Sequence, residues 1–236
     1  MVLAAGIGTR LRPLTDKTPK ALIEVGGVPM LERVLRRLIA AGVDEAVVNL
    51  HYLPEQIEAF LKAKKDFGIR IFLSREEGRI LDTGGALKKA AMFLRGKEPF
   101  FVHNVDVLSD LDLGALHRAH RQSGALATLA VRERETSRKL LFSADDRLVG
   151  REEDRKPQWA GKPVSGAQAL GFDGVHVVSP ALLDKMTETG VFSINAVYLR
   201  LAAAGERIQA FRADKWRWLD VGSPEKLERA RREFSS

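Results

Sequence analysis

The first twenty residues, Met1 to Lys20, read MVLAAGIGTRLRPLTDKTPK. An apolar run, Met1 to Ala5, gives way to glycines at Gly6 and Gly8, arginines at Arg10 and Arg12, and a closing Pro19-Lys20. Glycine lets the backbone take positive φ and approach a ligand closely, so successive N–H groups can aim at phosphate oxygens. Arginine adds a planar fork for the same oxygens, and lysine a compact charge. A buried strand that opens into such a loop has the make-up of a phosphate site. The spacing is not that of a P-loop, which needs a lysine directly after its last glycine. Nor is it the dinucleotide fingerprint, whose third glycine would fall at Leu11. The plainer alternative is an edge strand that merely turns at Gly6. The cations Arg10, Arg12, Lys17 and Lys20 beside that turn argue against it.

Leu3 through Lys20 fills the pattern L-A-A-G-x-G-T-R-(L/M)-x-P-L-T-x-x-x-P-K, which resembles the signature of sugar-phosphate nucleotidyltransferases. The resemblance implies transfer of a nucleoside monophosphate from an NTP to a sugar 1-phosphate, with pyrophosphate released. It also implies a Mg²⁺ cofactor and a Rossmann-like α/β fold.

Composition sets independent bounds. A chain of 236 residues that is 45% hydrophobic can build one sizeable packed α/β domain or two small ones. The absence of cysteine excludes disulfides, cysteinyl zinc sites and a cysteine nucleophile. No apolar run approaches the ~20 residues of a membrane span, and the N-terminal run is too short and lacks a basic flank for a signal peptide. No membrane partner and a cytoplasmic location are therefore expected. A net charge of +7 suits anionic partners, but the cations are spread along the chain. With only three tryptophans and two tyrosines there is no visible stacking platform for single strands, so nucleic acid is not expected as a partner.

Along the chain, Ala21–Val25 reads as a short strand. Met30, Leu31, Val34, Leu35, Leu38 and Ile39 fall at helical spacing, ending at Gly42. Ala46–Leu50 is a continuous apolar strand, Pro54–Ala63 a helix opened by proline, and Ile69–Leu73 a further strand. Alternation of this kind predicts a mixed, mostly parallel sheet with helices on both faces, a three-layer arrangement. The expected organisation is one domain over residues 1–236. Its nucleotide-binding part covers about 1–125, its sugar-binding part about 126–215, and a closing metal-site segment 216–236.

Gly84 and Gly85 precede a helix carrying Leu87, Ala90, Ala91 and Leu94. Free N–H groups there can hold an anion or a base edge, or Asp82 or Thr83 simply caps the helix. In Pro99–Asp112 an extended segment would put Phe100, Val102, Asn104 and Asp106 on one face, with Asp106 at the strand's C-terminal end, where open α/β sheets place ligands. A carboxylate facing phosphates there is a natural Mg²⁺ ligand, or it caps the following turn. Leu113–Ser123 reads as a helix with His117 and His120 as surface histidines. Ala127–Val131 is a strand and Leu140–Val149 a hairpin. Arg151–Gln168 has the polarity of an insertion or flexible loop, either a lid or solvated padding. Ala169–Val178 is a strand in which Asp173 and Gly174 either contact the sugar or only make a bulge. Helices are expected at Pro180–Met186 and Ile194–Ala204, with a strand at Ile208–Arg212. In KWRWLDVGSPEKL, Lys215–Leu227, alternation groups Trp216, Trp218 and Asp220, and Ser223-Pro224 starts the last helix.

What the resemblance adds is a set of roles. The Asn104-Val105-Asp106 segment is similar to the family's N-G-D, with valine in place of the usual glycine, and Trp218-Leu219-Asp220-Val221-Gly222 resembles its second metal aspartate. Asp106 and Asp220 are then the metal ligands. Gly6, Gly8 and Thr9 cradle the triphosphate, Arg10 neutralises pyrophosphate and Lys20 holds the sugar phosphate. Leu3, Ala4, Ala5, Gly85 and Asn104 complete the nucleotide site, and Asp173 and Gly174 the sugar side. The sequence looks most like short uridylyltransferases acting on N-acetylmuramate 1-phosphate, with mannose-1-phosphate guanylyltransferases next. No hexapeptide repeat follows, so the chain is expected to be a catalytic core alone, as monomer or homodimer. Its first strand, starting at Met1, is expected to be short. Two other readings stay open: a non-catalytic regulatory homologue, motivated by Val105, and a nucleic-acid binder, motivated by the charge.

Overall fold

The computed structural model describes residues 1–234. The first half runs β1 (Val2–Leu3), β2 (Glu24–Val25), β3 (Val28–Pro29), α1 (Met30–Ala40), β4 (Glu45–Leu50), α2 (Pro54–Ala63), β5 (Arg70–Arg75), α3 (Asp82–Lys89), α4 (Ala91–Leu94), β6 (Phe100–Asn104), β7 (Val107–Ser109) and α5 (Leu113–Ser123). The second half runs β8 (Ala127–Arg132), β9 (Arg138–Phe142), β10 (Leu148–Glu153), β11 (Lys156–Trp159), β12 (Gln168–Val178), α6 (Ala181–Asp184), α7 (Ile194–Ala203), β13 (Ile208–Arg212), β14 (Trp218–Asp220) and α8 (Pro224–Glu233). The expected α/β class with a mixed sheet is what forms.

The chain folds as two compact units. The first holds Met1–Leu81, His103–Asp110 and the described residues from Arg217 onward. Its central strands are parallel: β1 lies between β4 (Val2↔Val48) and β6 (Leu3↔Asn104), and β5 adds to β4 (Val48↔Leu73). Val2, Ala46, Val47, Val48 and Leu50 are all buried, because strands covered on both faces carry continuous apolar runs rather than alternation. Helix α1 buries Met30, Leu31, Val34, Leu35 and Leu38, the stripe that a 3.6-residue period creates. A second layer pairs β7 with β14 antiparallel, Trp218↔Ser109 to Asp220↔Val107.

The second unit holds Asp82–Val102 and Leu111–Trp216. Its long strand β12 pairs antiparallel with β8 and with β9, β10 joins β9 to β11, and β13 runs parallel to β8. Helix α3 packs on α7, and α5 on β8.

Four expectations change. Lys20–Leu22 is a turn of 3₁₀ helix closed by Ile23 N–H to the Lys20 carbonyl, so only Glu24–Val25 of the expected strand is extended. Helix α3 starts at Asp82, which puts Gly84 and Gly85 inside its first turns rather than ahead of it. The polar stretch from Arg151 is largely a hairpin: Arg151 pairs with Gln158, and the turn at Asp154 and Arg155 uses positive φ of 49° and 64°. Side chains at Lys156, Pro157 and Gln158 are exposed, so no burial alternation marks this ribbon in the sequence. His120 is not a surface residue; it is 2% exposed and its Nδ1 lies 2.9 Å from Thr128 Oγ1.

Candidate active site

Strand β1 ends where the glycine loop begins, in the middle of the first unit's parallel strands. Ala4 and Ala5 are buried, while Gly6 and Thr9 are exposed. Gly8 takes φ 72°, and a Cβ there would meet Thr15 Cγ2 at 2.9 Å and Lys20 Cβ at 3.1 Å. Both the conformation and the space require glycine. A Cβ on Gly6 would meet nothing within 4 Å, so that glycine borders open space rather than packing. The loop then winds into a 3₁₀ turn, Thr9–Leu11, anchored by Leu11 N–H to the Gly8 carbonyl at 2.8 Å. Thr15 Oγ1 donates to that same carbonyl at 2.8 Å.

Leu11 is what fixes the loop to the segments that carry Asp106 and Asp220. It shares one buried cluster with Ile23, Val25, Met30, Leu108, Leu219, Val221, Leu227 and Ala230. Burying each leucine is worth roughly 1.5–3 kcal/mol, enough to hold the loop against β7, β14 and α8. Asp220 lies between buried Leu219 and Val221, and Asp106 between buried Val105 and Val107. At the end of β14 the inward-pointing neighbours leave the Asp220 carboxylate on the other face of the strand. Strand β6 stops at Asn104, so Asp106 stands in the turn before β7. Its carbonyl accepts from Val221 N–H at 2.8 Å, next to the Asp220↔Val107 pair.

Charges complete the site. Lys20, only 9% exposed, puts its Nζ on Asp106 Oδ2. Lys226 Nζ lies 2.5 Å from Asp220 Oδ1. A Cβ on Gly222 would sit 3.0 Å from Asp220 Oδ2 and 3.1 Å from Arg10 Nη2, so the Arg10 guanidinium and the Asp220 carboxylate flank the same glycine. The lysine is aimed by its cap. Ser223 accepts from Lys226 N–H, Pro224 opens α8, and side chains on a helix lean toward its N-terminus, so Lys226 reaches back to Asp220. Two oxygen-only carboxylates suit a hard divalent cation that draws its other ligands from substrate phosphates and water. Among the described residues there is no group of three or more His, Cys, Asp or Glu that could hold a metal by protein ligands alone.

Residues 1–236 match the protein-family description "Nucleotidyl transferase". The chain belongs to the nucleotidyl transferase family. Two named relatives span nearly the whole chain. One is N-acetylmuramate alpha-1-phosphate uridylyltransferase of Caulobacter vibrioides (strain ATCC 19089 / CIP 103742 / CB 15), 36% identical over 95% of this chain and 92% of its own. The other is a mannose-1-phosphate guanyltransferase of Gibberella zeae (strain ATCC MYA-4620 / CBS 123657 / FGSC 9075 / NRRL 31084 / PH-1), 32% identical over 95% of this chain but 60% of its own. Among solved structures, a putative glucose-1-phosphate thymidylyltransferase from Bacillus anthracis superposes with TM-score 0.81 at 18% identity, covering 98% of this chain and 92% of that one. At that identity the likeness shows the fold alone.

For this nucleotidyl transferase the first unit brings together Leu3, Ala4, Ala5, Gly6, Gly8, Thr9, Arg10, Lys20, Asn104, Asp106 and Asp220. Gly85, Asp173 and Gly174 lie in the second unit. There the N–H groups of Gly84 and Gly85 donate to the Phe192 carbonyl at 2.9 and 3.1 Å, so they are not free for an anion. Gly84 is required by packing, since its Cβ would meet the Phe192 ring at 2.5 Å. The register of β12 on β8 shifts between Phe172 and His176, and Gly174 takes φ 75°, which makes the bulge that was the alternative to a sugar contact. Asp173 is 1% exposed and accepts from Arg132 Nε at 2.9 Å on both oxygens. Burial outweighs the guanidinium and pushes this carboxyl up to about 6. No helix among the described residues is long and apolar enough to cross a membrane.

Sequence reasoning missed two features. Lys226 was assigned no role. Asn49 sat unremarked in an apolar strand, yet its Oδ1 accepts from Ala4 N–H at 2.6 Å and its Nδ2 donates to Glu76 Oε1 at 2.6 Å. The signal was available: a polar residue inside a buried run must find partners.

Proposed function

We propose that this nucleotidyl transferase joins a nucleoside monophosphate to a sugar 1-phosphate, with UTP and N-acetylmuramate 1-phosphate as its substrates. The reading is carried by one observation: the glycine loop, Arg10, the Lys20–Asp106 pair and the Lys226–Asp220 pair belong to a single compact unit around the end of β1. The identity to the Caulobacter uridylyltransferase over almost its full length favours the uridylyl assignment. GTP with mannose 1-phosphate is the second reading, favoured by the likeness to the Gibberella guanyltransferase.

In this reading an oxygen of the sugar phosphate attacks the α-phosphorus of the NTP. The new P–O bond forms as the bond from the α-phosphorus to its bridging oxygen breaks, and pyrophosphate leaves with the electron pair. The attacking oxygen is already ionised at neutral pH, so the protein contributes position and charge rather than a general base. Backbone N–H groups at Gly6, Gly8 and Thr9 take the triphosphate, and Arg10 takes charge on the leaving pyrophosphate. Lys20 draws the sugar phosphate toward the α-phosphorus, offsetting the repulsion of two anions. Ala4 and Ala5 are assigned to the base. Gly174, with Asp173 holding its bulge, is assigned to the sugar. Asp106 and Asp220 would hold Mg²⁺, which supplies charge neutralisation between phosphates when bound.

A matrix of four NTPs against a panel of sugar 1-phosphates, read by pyrophosphate release, tests the proposal. Turnover confined to UTP and N-acetylmuramate 1-phosphate is expected. Release with GTP and mannose 1-phosphate selects the second reading, and no release from any pair rejects both.

A further inference from the structure

Asp106 and Asp220 each carry a lysine, yet only Lys20 comes from the glycine loop segment. Lys226 belongs to α8, and nothing in the transfer chemistry above uses it. Its side chain is 44% exposed, so it is not a packing residue, and its Nζ sits 2.5 Å from Asp220 Oδ1. Around these carboxylates stand Arg10, Lys20 and Lys226, so the cations outnumber the acids. A dication approaching alone meets net positive charge and must displace an ammonium to reach Asp220. A dication arriving with a triphosphate brings net negative charge, and the same ammonium then has phosphate oxygens to move to.

We propose that Lys226 is a counter-ion device: it occupies Asp220 in the nucleotide-free protein, keeps the site from holding a divalent cation alone, and yields it when the nucleotide–metal complex binds. The inference rests on the assignment of Asp220 as a metal ligand. It makes Lys226 a positioning residue that acts through Asp220. The consequence is an order of binding, with metal and nucleotide entering together.

The test is direct Mn²⁺ binding without nucleotide, read by electron paramagnetic resonance of free Mn²⁺. Lys226→Met should tighten Mn²⁺ binding about tenfold over the natural protein, because a unit charge a few ångströms from a dication is removed at a partly exposed site. Lys226→Arg, which keeps the charge, should stay within about twofold. Adding Asp220→Asn to Lys226→Met should abolish the gain. Circular dichroism and melting curves of each variant identify any that fail to fold, and Lys226→Gln serves as a second neutral replacement. Neutral variants that fold yet bind Mn²⁺ no more tightly overturn the proposal, as does a gain that survives Asp220→Asn. The metal assignment fails separately: Asp106→Asn and Asp220→Asn would then leave Mn²⁺ binding unchanged in the presence of NTP.

Discussion

Asn49 and Glu76, both buried, form a polar tie beneath the glycine loop, with the Asn49 amide donating to Glu76 Oε1 at 2.6 Å. The other face of that amide accepts from Ala4 N–H, and Glu76 Oε2 accepts from Leu81 N–H at 2.7 Å. The tie links the start of the loop to the segment after β5. Asn49→Leu fills similar volume but leaves Ala4 N–H and one side of Glu76 without partners. Chemical denaturation should show a loss of about 2–4 kcal/mol, the cost of two buried groups left unmade. A loss under about 0.5 kcal/mol would mean that water replaces the amide.

Gly6 and Gly8 should respond in opposite ways to alanine. Gly8→Ala meets Thr15 and Lys20 and forces a side chain into positive φ, so stability should fall by about 1–3 kcal/mol. Gly6→Ala meets no protein atom. Its stability should change by less than about 0.5 kcal/mol, while KM for NTP rises about tenfold as the methyl keeps phosphate from the backbone. Thermal melts beside steady-state kinetics separate the two; an unchanged KM in Gly6→Ala removes the loop from the nucleotide site.

Asp220→Asn keeps the shape of a partly exposed side chain, so its melting temperature should stay within a few degrees of the natural protein. Turnover should drop about 100-fold or more, as removal of a charge-stabilising group does. A chelator should abolish pyrophosphate release, and added Mg²⁺ should restore it in the natural protein but not in the variant. Near-normal turnover in Asp220→Asn contradicts the metal assignment.

The parts of this fold that were legible in the sequence are those where local chemistry and packing agree. Helix α2 opens at Pro54, and α8 is capped by Ser223 with Pro224 at its first position, because both rules act within one turn of chain. Helix α1 was readable because its buried stripe repeats at the helical period. What escaped depended on distant partners. Gly84 has the look of a ligand glycine, and only Phe192, more than a hundred residues later, shows it to be a packing glycine. Lys226 gains its meaning from Asp220 across a turn and a helix cap. The hairpin through Arg151 and Gln158 is solvated on both faces, which erases the period-two pattern by which strands are found.

His120 should give the protein an acid-side weakness. Burial, with His117 adding a smaller like-charge effect, lowers its pKa to about 4 from an ordinary 6.5. The unfolded chain therefore binds more protons between those values. The stabilising contribution is complete above about pH 6.5 and is lost as pH falls toward 4, up to about 3 kcal/mol. His103, lowered to about 4 chiefly by burial, acts in the same direction. Asp173, raised to about 6, acts in the opposite one. The clean measurement is thus a difference: His120→Gln should flatten the pH dependence of unfolding free energy between pH 6.5 and 4.5 relative to the natural protein. Parallel curves would show that His120 titrates normally in the fold.

Asp173 separates holding a bulge from touching a sugar. Arg132 binds both its oxygens and also donates to the Trp216 carbonyl through Nη1 at 2.8 Å. Removing the charge in Asp173→Asn leaves a guanidinium buried without its counter-ion, a loss of about 3–5 kcal/mol. Replacing both partners by apolar residues, Arg132→Met with Asp173→Leu, should recover most of that loss, since a buried ion pair repays its desolvation poorly. With stability recovered, the double variant decides the role. Because the Asp173 carboxylate faces Arg132 and is covered, KM for the sugar 1-phosphate should move less than about threefold, roughly 0.6 kcal/mol. A tenfold rise in that KM at recovered stability, with KM for NTP unmoved, would instead make Asp173 a direct sugar contact.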